Sequence, residues 1–222
     1  MINVLTSRGI INQGDVFVYL KEYIKSSHKV LLVNFSFFKK FVKNKEDYEL
    51  IYGNNGSYTN RIIDSFFPYG ISMKNFDILH YYNDTHETAL KKIKAADIIY
   101  FPGGAPDEMM DRINEFKIKE ALEDKDKIFI GSSAGAMIQF NHYHITKDRD
   151  YKKFSYQEGL HLIDDYFIEV HYKKNFRYKK SQKRIFKDHQ EPLIQIPDSG
   201  CVIIDDKRIF LLGGAKIISY TP

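Results

Sequence analysis

The sequence predicts an α/β fold: a mostly parallel sheet flanked by helices on both faces, with β-hairpins at the C-terminus. Three observations carry this expectation. Uninterrupted apolar runs at Lys29–Asn34, Asp97–Phe101 and Ile128–Ile130 have the pattern of strands buried on both faces. Helix-forming segments alternate with such runs, as βαβ units require. The C-terminal stretch is cut into short strands by turn residues at Asp205-Asp206-Lys207 and Gly213-Gly214.

The elements follow in order. Ile2–Thr6 reads as a first strand and Ser7-Arg8-Gly9 as a turn. Asp15 is placed to cap a helix running to about Lys25, with Val16, Tyr19, Leu20 and Tyr23 on one face. Lys29–Asn34 is the second strand. Phe35–Tyr52 mixes aromatics with lysines and gives no clear period. Asn54-Asn55-Gly56 is a turn, and Arg61–Phe67 a helix that stops before Pro68 and Gly70. Phe76–His80 is a third strand. A helix then starts near Thr85, with Asp84 and Glu87 at its start and Lys91, Lys92 and Lys94 near its end, as the helix dipole favours. Asp97–Phe101 is the fourth strand. A helix from about Asp107 is expected to continue through Leu122. Asn141–Gln157 reads as polar and irregular. A strand is expected near Phe167–Val170, a helix in the basic segment, and strands at Leu193–Ile196, Cys201–Ile204, Arg208–Leu211 and Lys216–Ser219.

Composition narrows the class. With 222 residues and 43% apolar content, the chain can bury a core as one domain spanning 1–222. Cys201 is the single cysteine, so no disulfide framework exists and a reducing, cytoplasmic setting is expected. No signal peptide is visible in MINVLTSRG, and no apolar run has membrane-spanning length. The net charge of +4 concentrates at Lys173–Lys187, KKNFRYKKSQKRIFK. That segment reads first as a solvated helix face, and second as a source of cations for a substrate carboxylate. Nothing else resembles a nucleic-acid module, so no nucleic-acid partner is expected.

The chemistry centres on Lys127–Phe140, KIFIGSSAGAMIQF. An apolar strand meets Gly131-Ser132-Ser133-Ala134-Gly135, and a buried helix is expected to follow. This is the G-x-S-x-G nucleophile elbow, in which small neighbours let Ser133 occupy a sharp strand-to-helix corner. The bland alternative is a Gly/Ser turn joining two core elements. A serine nucleophile needs a base, and eight histidines compete. His80 and His171 each end a strand, where sites form in open parallel sheets. His142 and His144 alternate in NHYHIT, but with no third ligand at suitable spacing they read as surface residues and no metal is expected. His28, His86, His161 and His189 read as exposed loop or cap residues. For the acid that holds the imidazole, Asp198, Glu169, Asp148 and Asp150 remain equally open on spacing. Gly103-Gly104, after the fourth strand, offers a second oxyanion donor beside the N–H of Ala134.

Four pieces in this order resemble the serine peptidase family of aspartyl dipeptidase (peptidase E) and cyanophycinase, family S51. They are Tyr100-Phe101-Pro102-Gly103-Gly104, then Gly131-Ser132-Ser133-Ala134-Gly135-Ala136. Gly159-Leu160 with Val170-His171-Tyr172 is the third, and Ile196-Pro197-Asp198-Ser199-Gly200-Cys201 the fourth. Leu5-Thr6-Ser7 also fits. The resemblance implies a flavodoxin-like fold of the class I glutamine amidotransferase type. It implies Ser133 as nucleophile, His171 as base, and Asp198 as acid where the family usually has Glu. It further implies Gly104 and Ala134 as the oxyanion hole and Gly103, Tyr172 and Arg177 as substrate-binding residues. The arginines expected after the histidine are partly replaced, with Asn175 in one place and Arg177 in another, which argues against strict aspartyl-dipeptide specificity.

The leading expectation is therefore a serine peptidase acting on small peptides without a cofactor, with a homodimer as one assembly to consider. A non-catalytic binding protein retaining the elbow is the main alternative. A glutamine amidotransferase would need Cys at the elbow and Glu two residues after the histidine, where this chain has Ser133 and Lys173. An α/β-hydrolase esterase would place its acid between serine and histidine.

Overall fold

The computed structural model describes residues 1–206 and 208–220, so Lys207 of the expected turn lies outside the described residues. The first half is built of β1 (Ile2–Thr6), α1 (Gly14–Leu20), β2 (Val30–Val33), α2 (Lys45–Tyr52), α3 (Ser57–Asp64), β3 (Phe76–Leu79), α4 (His86–Ala95), β4 (Ile98–Phe101), α5 (Pro106–Glu115), α6 (Lys119–Leu122), β5 (Ile128–Ser132) and α7 (Ala134–Met137). The second half adds β6 (His142–Ile145), β7 (Ser155–Glu158), β8 (Phe167–Glu169), α8 (Phe176–Asp188), β9 (Leu193–Gln195), β10 (Cys201–Asp205), β11 (Arg208–Leu212) and β12 (Lys216–Ile218).

A seven-stranded sheet runs in the order β11-β10-β1-β5-β4-β2-β3. From β1 to β3 every neighbouring pair is parallel, while β10 lies antiparallel to both β1 and β11. Side chains alternate across a strand, and the two faces are buried separately. Leu5, Leu31, Val33, Ile99, Phe101 and Phe129 face one core with Ile93 of α4, Met109 and Ile113 of α5 and Leu122 of α6. Val4, Val30, Leu32, Ile98, Tyr100 and Ile130 face the other with Val16 and Leu20 of α1 and Ile62 and Ile63 of α3. Burial on both faces is why these strands read as continuous apolar runs. The C-terminal antiparallel strands are present but divide between two sheets. β10 and β11 extend the main sheet, whereas β9 joins β8 and β12 in a separate three-stranded sheet. Helix α8 packs on that sheet through Ile185 against Phe167 and Leu193.

Local differences from expectation have physical causes. Asp15 sits in the first turn of α1 rather than at its cap, which is Gln13, and the helix ends at Leu20. Thr85 does cap α4, in a reciprocal capping box with Thr88. The expected helix through Leu122 breaks after α5. Lys117 turns left-handed at φ 54°, and the N–H groups of Lys117 and Ile118 donate to Asn114 and Ile113 carbonyls. This is a Schellman ending with Lys where Gly is usual, so composition did not announce it. The stretch expected to be irregular folds as the hairpin β6–β7, and Tyr143 and Ile145 insert into the core. The helix after the elbow is a single turn. Among the described residues, no helix is long and apolar enough to cross a membrane.

Candidate active site

The strand pairing brings distant parts of the sequence to one end of the sheet. β1, β5 and β4 lie side by side with Thr6 aligned to Ser132 and Phe101 to Gly131, so all three end together. β10 runs the other way, with Cys201 opposite Thr6, and the turn before it returns to the same edge. β8 and β9 are parallel, so the chain leaving β8 through His171 runs beside the chain leaving β9 toward Asp198.

Ser133 occupies the corner between β5 and α7 at φ 53° and ψ −112°, a strained position for a residue with a side chain. Its N–H donates to the Thr6 carbonyl at 2.8 Å, and its carbonyl accepts from Met137 N–H at 3.1 Å. Gly135 makes the corner possible, because a Cβ there would overlap the Phe101 carbonyl.

His171, also left-handed at φ 54°, meets Ser133 from across the cleft. Its Nε2 lies 2.9 Å from Ser133 Oγ and its Nδ1 lies 2.6 Å from Asp198 Oδ1. A carboxylate only accepts, so Nδ1 carries the proton and Nε2 is left to accept from the serine hydroxyl. Arg8 Nη2 donates to the other carboxylate oxygen, Asp198 Oδ2, at 3.2 Å. Partial burial pushes the Asp198 carboxyl up, but the hydrogen bonds and charges of His171 and Arg8 outweigh it and hold the group below the usual carboxylate range. The His171 and Asp198 side chains are 33% and 38% exposed, so the pair is reachable by water and by small substrates.

A second serine hydroxyl braces this hydrogen-bonded line from behind. Ser7, buried at the end of β1, donates to the Ile196 carbonyl at 2.8 Å and accepts from the His171 N–H at 2.8 Å. One hydroxyl thus ties the segment carrying the histidine to the segment carrying the aspartate. Ser7→Ala leaves the His171 N–H without its partner and takes one donor from the Ile196 carbonyl, which keeps the Tyr172 N–H, a loss of roughly 1–3 kcal/mol in local positioning. The expected result is a fall in kcat of about tenfold with KM nearly unmoved. An unchanged kcat in a folded Ser7→Ala protein would remove Ser7 from the account.

The loop after β4 has its backbone donors divided. Gly103 N–H donates to Tyr58 Oη at 3.0 Å, and Ser36 Oγ donates to the Gly103 carbonyl at 2.9 Å. Ala105 N–H donates to the Ser36 carbonyl at 2.7 Å. Among the described residues this leaves Gly104 N–H unpartnered. Gly104 sits at φ 152°, and a Cβ on it would overlap the Ser36 carbonyl, so the position demands glycine. Ala134 N–H opens α7 and has no intrahelical partner. Because α7 is only one turn, these individual donors outweigh any macrodipole.

Ser133, His171, Asp198, Gly104 and Arg8 line a cleft of about 430 Å³, with Met137, Tyr151, Lys173, Arg177 and Tyr178 around it. Two predicted substrate-binding residues are not among its lining. Gly103 spends its backbone on Tyr58 and Ser36, as above, and Tyr172 instead packs on Tyr178 at 5.7 Å between ring centres. Arg177 does line the cleft, lying 4.5 Å from the Tyr178 ring centre and donating to Tyr178 Oη at 2.6 Å.

The other acidic candidates are committed elsewhere. Glu169 is buried against His144 Nε2 at 3.0 Å and Thr146 Oγ1 at 2.8 Å. Asp148 accepts from the N–H groups of Asp150 and Tyr151, and Asp150 pairs with Lys40. His80 is buried and bonded to Glu49, with its other ring nitrogen on the backbone of Tyr82 and Asn83. His144 is buried too, contrary to the surface position expected, because β6 packs inside the hairpin. The sequence reading missed Arg8, taken as a turn residue, and the His144–Glu169 pair in the cleft wall. Only three-dimensional pairing could have found them.

The model of peptidase family S51 matches residues 50–212. A crystal structure assigned to peptidase E from Listeria monocytogenes EGD-e superposes with a TM-score of 0.67 at 18% identity, covering 98% of each chain. A peptidase from an acI-B1 Actinobacterium superposes with a TM-score of 0.63 at 17% identity, covering 98% of this chain and 93% of that one. At these identities the likeness is one of fold. No curated protein sequence matches the chain.

Proposed function

The chain belongs to peptidase family S51 and is a serine-type peptidase; we propose that it hydrolyses small peptides, dipeptides included, with Ser133 as nucleophile, His171 as base and Asp198 as acid. The observation that carries this reading is the continuous hydrogen-bonded line from Ser133 Oγ through His171 to Asp198. In the first half-reaction Ser133 Oγ bonds to the scissile carbonyl carbon and its proton passes to His171 Nε2. The oxyanion is received by the N–H groups of Gly104 and Ala134. Collapse breaks the C–N bond, and His171 hands its proton to the departing amine. In the second half, water gives a proton to His171 and attacks the acyl-enzyme, and Ser133 leaves with that proton restored.

Asp198 keeps Nδ1 protonated and balances the imidazolium, and Arg8 keeps Asp198 charged. Because the site draws on residues from Ser7 to Asp198, the reading takes residues 1–222 as one peptidase domain. The lone thiol of Cys201 is buried and its pKa pushed up by burial, so it takes no part, consistent with work in the reducing cytoplasm. The substrate cleft is mixed in charge, lined by Arg8, Lys173 and Arg177 and by Asp148, Asp150, Glu169 and Asp198. That lining suits a zwitterionic short peptide better than a substrate recognised only by a carboxylate. Incubation with a library of di- to hexapeptides, read by mass spectrometry, is expected to yield cleaved products from a subset. If every peptide survives intact, the proposed substrate class is wrong.

A further inference from the structure

Beyond the catalytic cleft lies a second, larger groove of about 670 Å³, enclosed between α8 and the segment from Thr146 to Phe154. Thr146, Asp148 and Arg177 line both, so the two cavities adjoin. A shared wall joins them as well: the His144 ring of the cleft stacks on Phe154 at 5.5 Å, and the Arg184 guanidinium of the groove lies 4.4 Å from the Phe154 ring centre.

The groove is strongly one-signed. Lys147 and Lys153 come from one wall and Arg177, Lys180 and Arg184 from the other, against the single carboxylate of Asp148. The helix contribution follows from spacing. Positions 177, 180 and 184 stand three and four residues apart and so share one face of α8, while Lys179, Lys183 and Lys187 are not part of the groove lining. Among the described residues, Lys147, Lys153 and Lys180 have no carboxylate within ion-pair distance, and Arg184 reaches only Asp188, at 3.6 Å. Cations held together without counter-charges repel one another, and an anionic occupant relieves that. From residue 177 to residue 184 the helix advances about 10 Å, the length of roughly three residues of extended peptide.

We propose that this groove is a substrate-extension site that binds an acidic peptide segment, about three residues long, lying beyond the residues that flank the scissile bond. The proposal rests on the peptidase reading and adds to it that the preferred substrates are longer than dipeptides and acidic at one end. Adjacency to the cleft favours a peptide over a nucleic acid, since a substrate whose scissile bond lies at Ser133 has its next residues beside the groove.

The test takes one peptide cleaved in the library and extends it at either end with three Glu, three Ala or three Lys. In the parent protein kcat/KM for the Glu-extended form at one end is expected to exceed that of the Lys-extended form by about tenfold or more, the gap narrowing with added salt. In Lys147→Glu/Lys180→Glu, checked for fold by circular dichroism, the ratio is expected to fall toward one. Using a ratio within each protein cancels any general loss of activity. Equal rates in the parent, or a ratio that survives charge reversal, overturn the proposal while leaving the peptidase reading intact. A binding arm separates the two claims in the other direction. A fluorescein-labelled alanine tetrapeptide extended by three Glu, chosen without reference to turnover, is titrated into Ser133→Ala protein, with and without the charge reversal. Binding that weakens about tenfold on reversal supports the groove even if no peptide is turned over. Tighter binding of a deoxythymidine dodecamer than of the acidic peptide overturns it.

Discussion

Ser133→Ala is expected to lower kcat by about 10⁶-fold, the loss seen when the nucleophile of a serine hydrolase is removed. The size follows from the chemistry. Without Oγ no acyl-enzyme forms, and the remaining donors at Gly104 and Ala134 can only polarise a carbonyl toward a stray water. The fold should not suffer. Ala removes one polar atom from a corner already held by the Thr6 and Met137 hydrogen bonds, and the φ of 53° is unfavourable for Ser and Ala alike. KM for a cleaved peptide should stay near the parent value wherever residual turnover allows it to be read. A loss smaller than about a hundredfold would mean that another group supplies the nucleophile.

Asp198→Asn is expected to cost about 10⁴-fold in kcat with little change in melting temperature. Asn keeps the shape but not the charge. It no longer compels the proton onto Nδ1, and the imidazolium formed during attack loses its counter-charge. Arg8 makes this worse, because its guanidinium, 3.2 Å from Oδ2, would then face a neutral amide with no carboxylate between it and His171. Asp198→Glu provides the contrast. The charge returns on a side chain one methylene longer, and a displacement of about 1 Å costs on the order of a hundredfold. Activity should therefore rank Asp above Glu and Glu above Asn. The 2.6 Å contact shows how the shorter acid reaches the histidine: the Ser7 bridge draws the β9 exit and the His171 segment together.

Much of the main sheet was legible because each parallel strand carries its burial in its own residues. Val30–Val33 and Ile98–Phe101 are apolar at every position, which is what two covered faces require. The corner at Ser133 was legible for a related reason, since a strained corner needs small neighbours within a few residues. Which carboxylate stands beside His171 was not. Asp198, Glu169, Asp148 and Asp150 are separated by strand pairing across the chain, by β1 against β10 and β8 against β9, and no local pattern encodes that register. The hairpin β6–β7 was hidden for the opposite reason. His144 and Thr146 look like surface residues, yet both bond internally to Glu169, a partner more than twenty residues away. A helix was read correctly in the basic segment, where α8 runs Phe176–Asp188, but its division into a groove-lining face and the remainder depends on what packs opposite.

The most direct test of the central claim is active-site labelling. Folded protein treated with a fluorophosphonate, digested and sequenced by mass spectrometry should carry the adduct on Ser133. Labelling should be lost in Ser133→Ala and strongly slowed in His171→Ala. Absence of an adduct on Ser133, or labelling at the same rate without His171, would contradict the account.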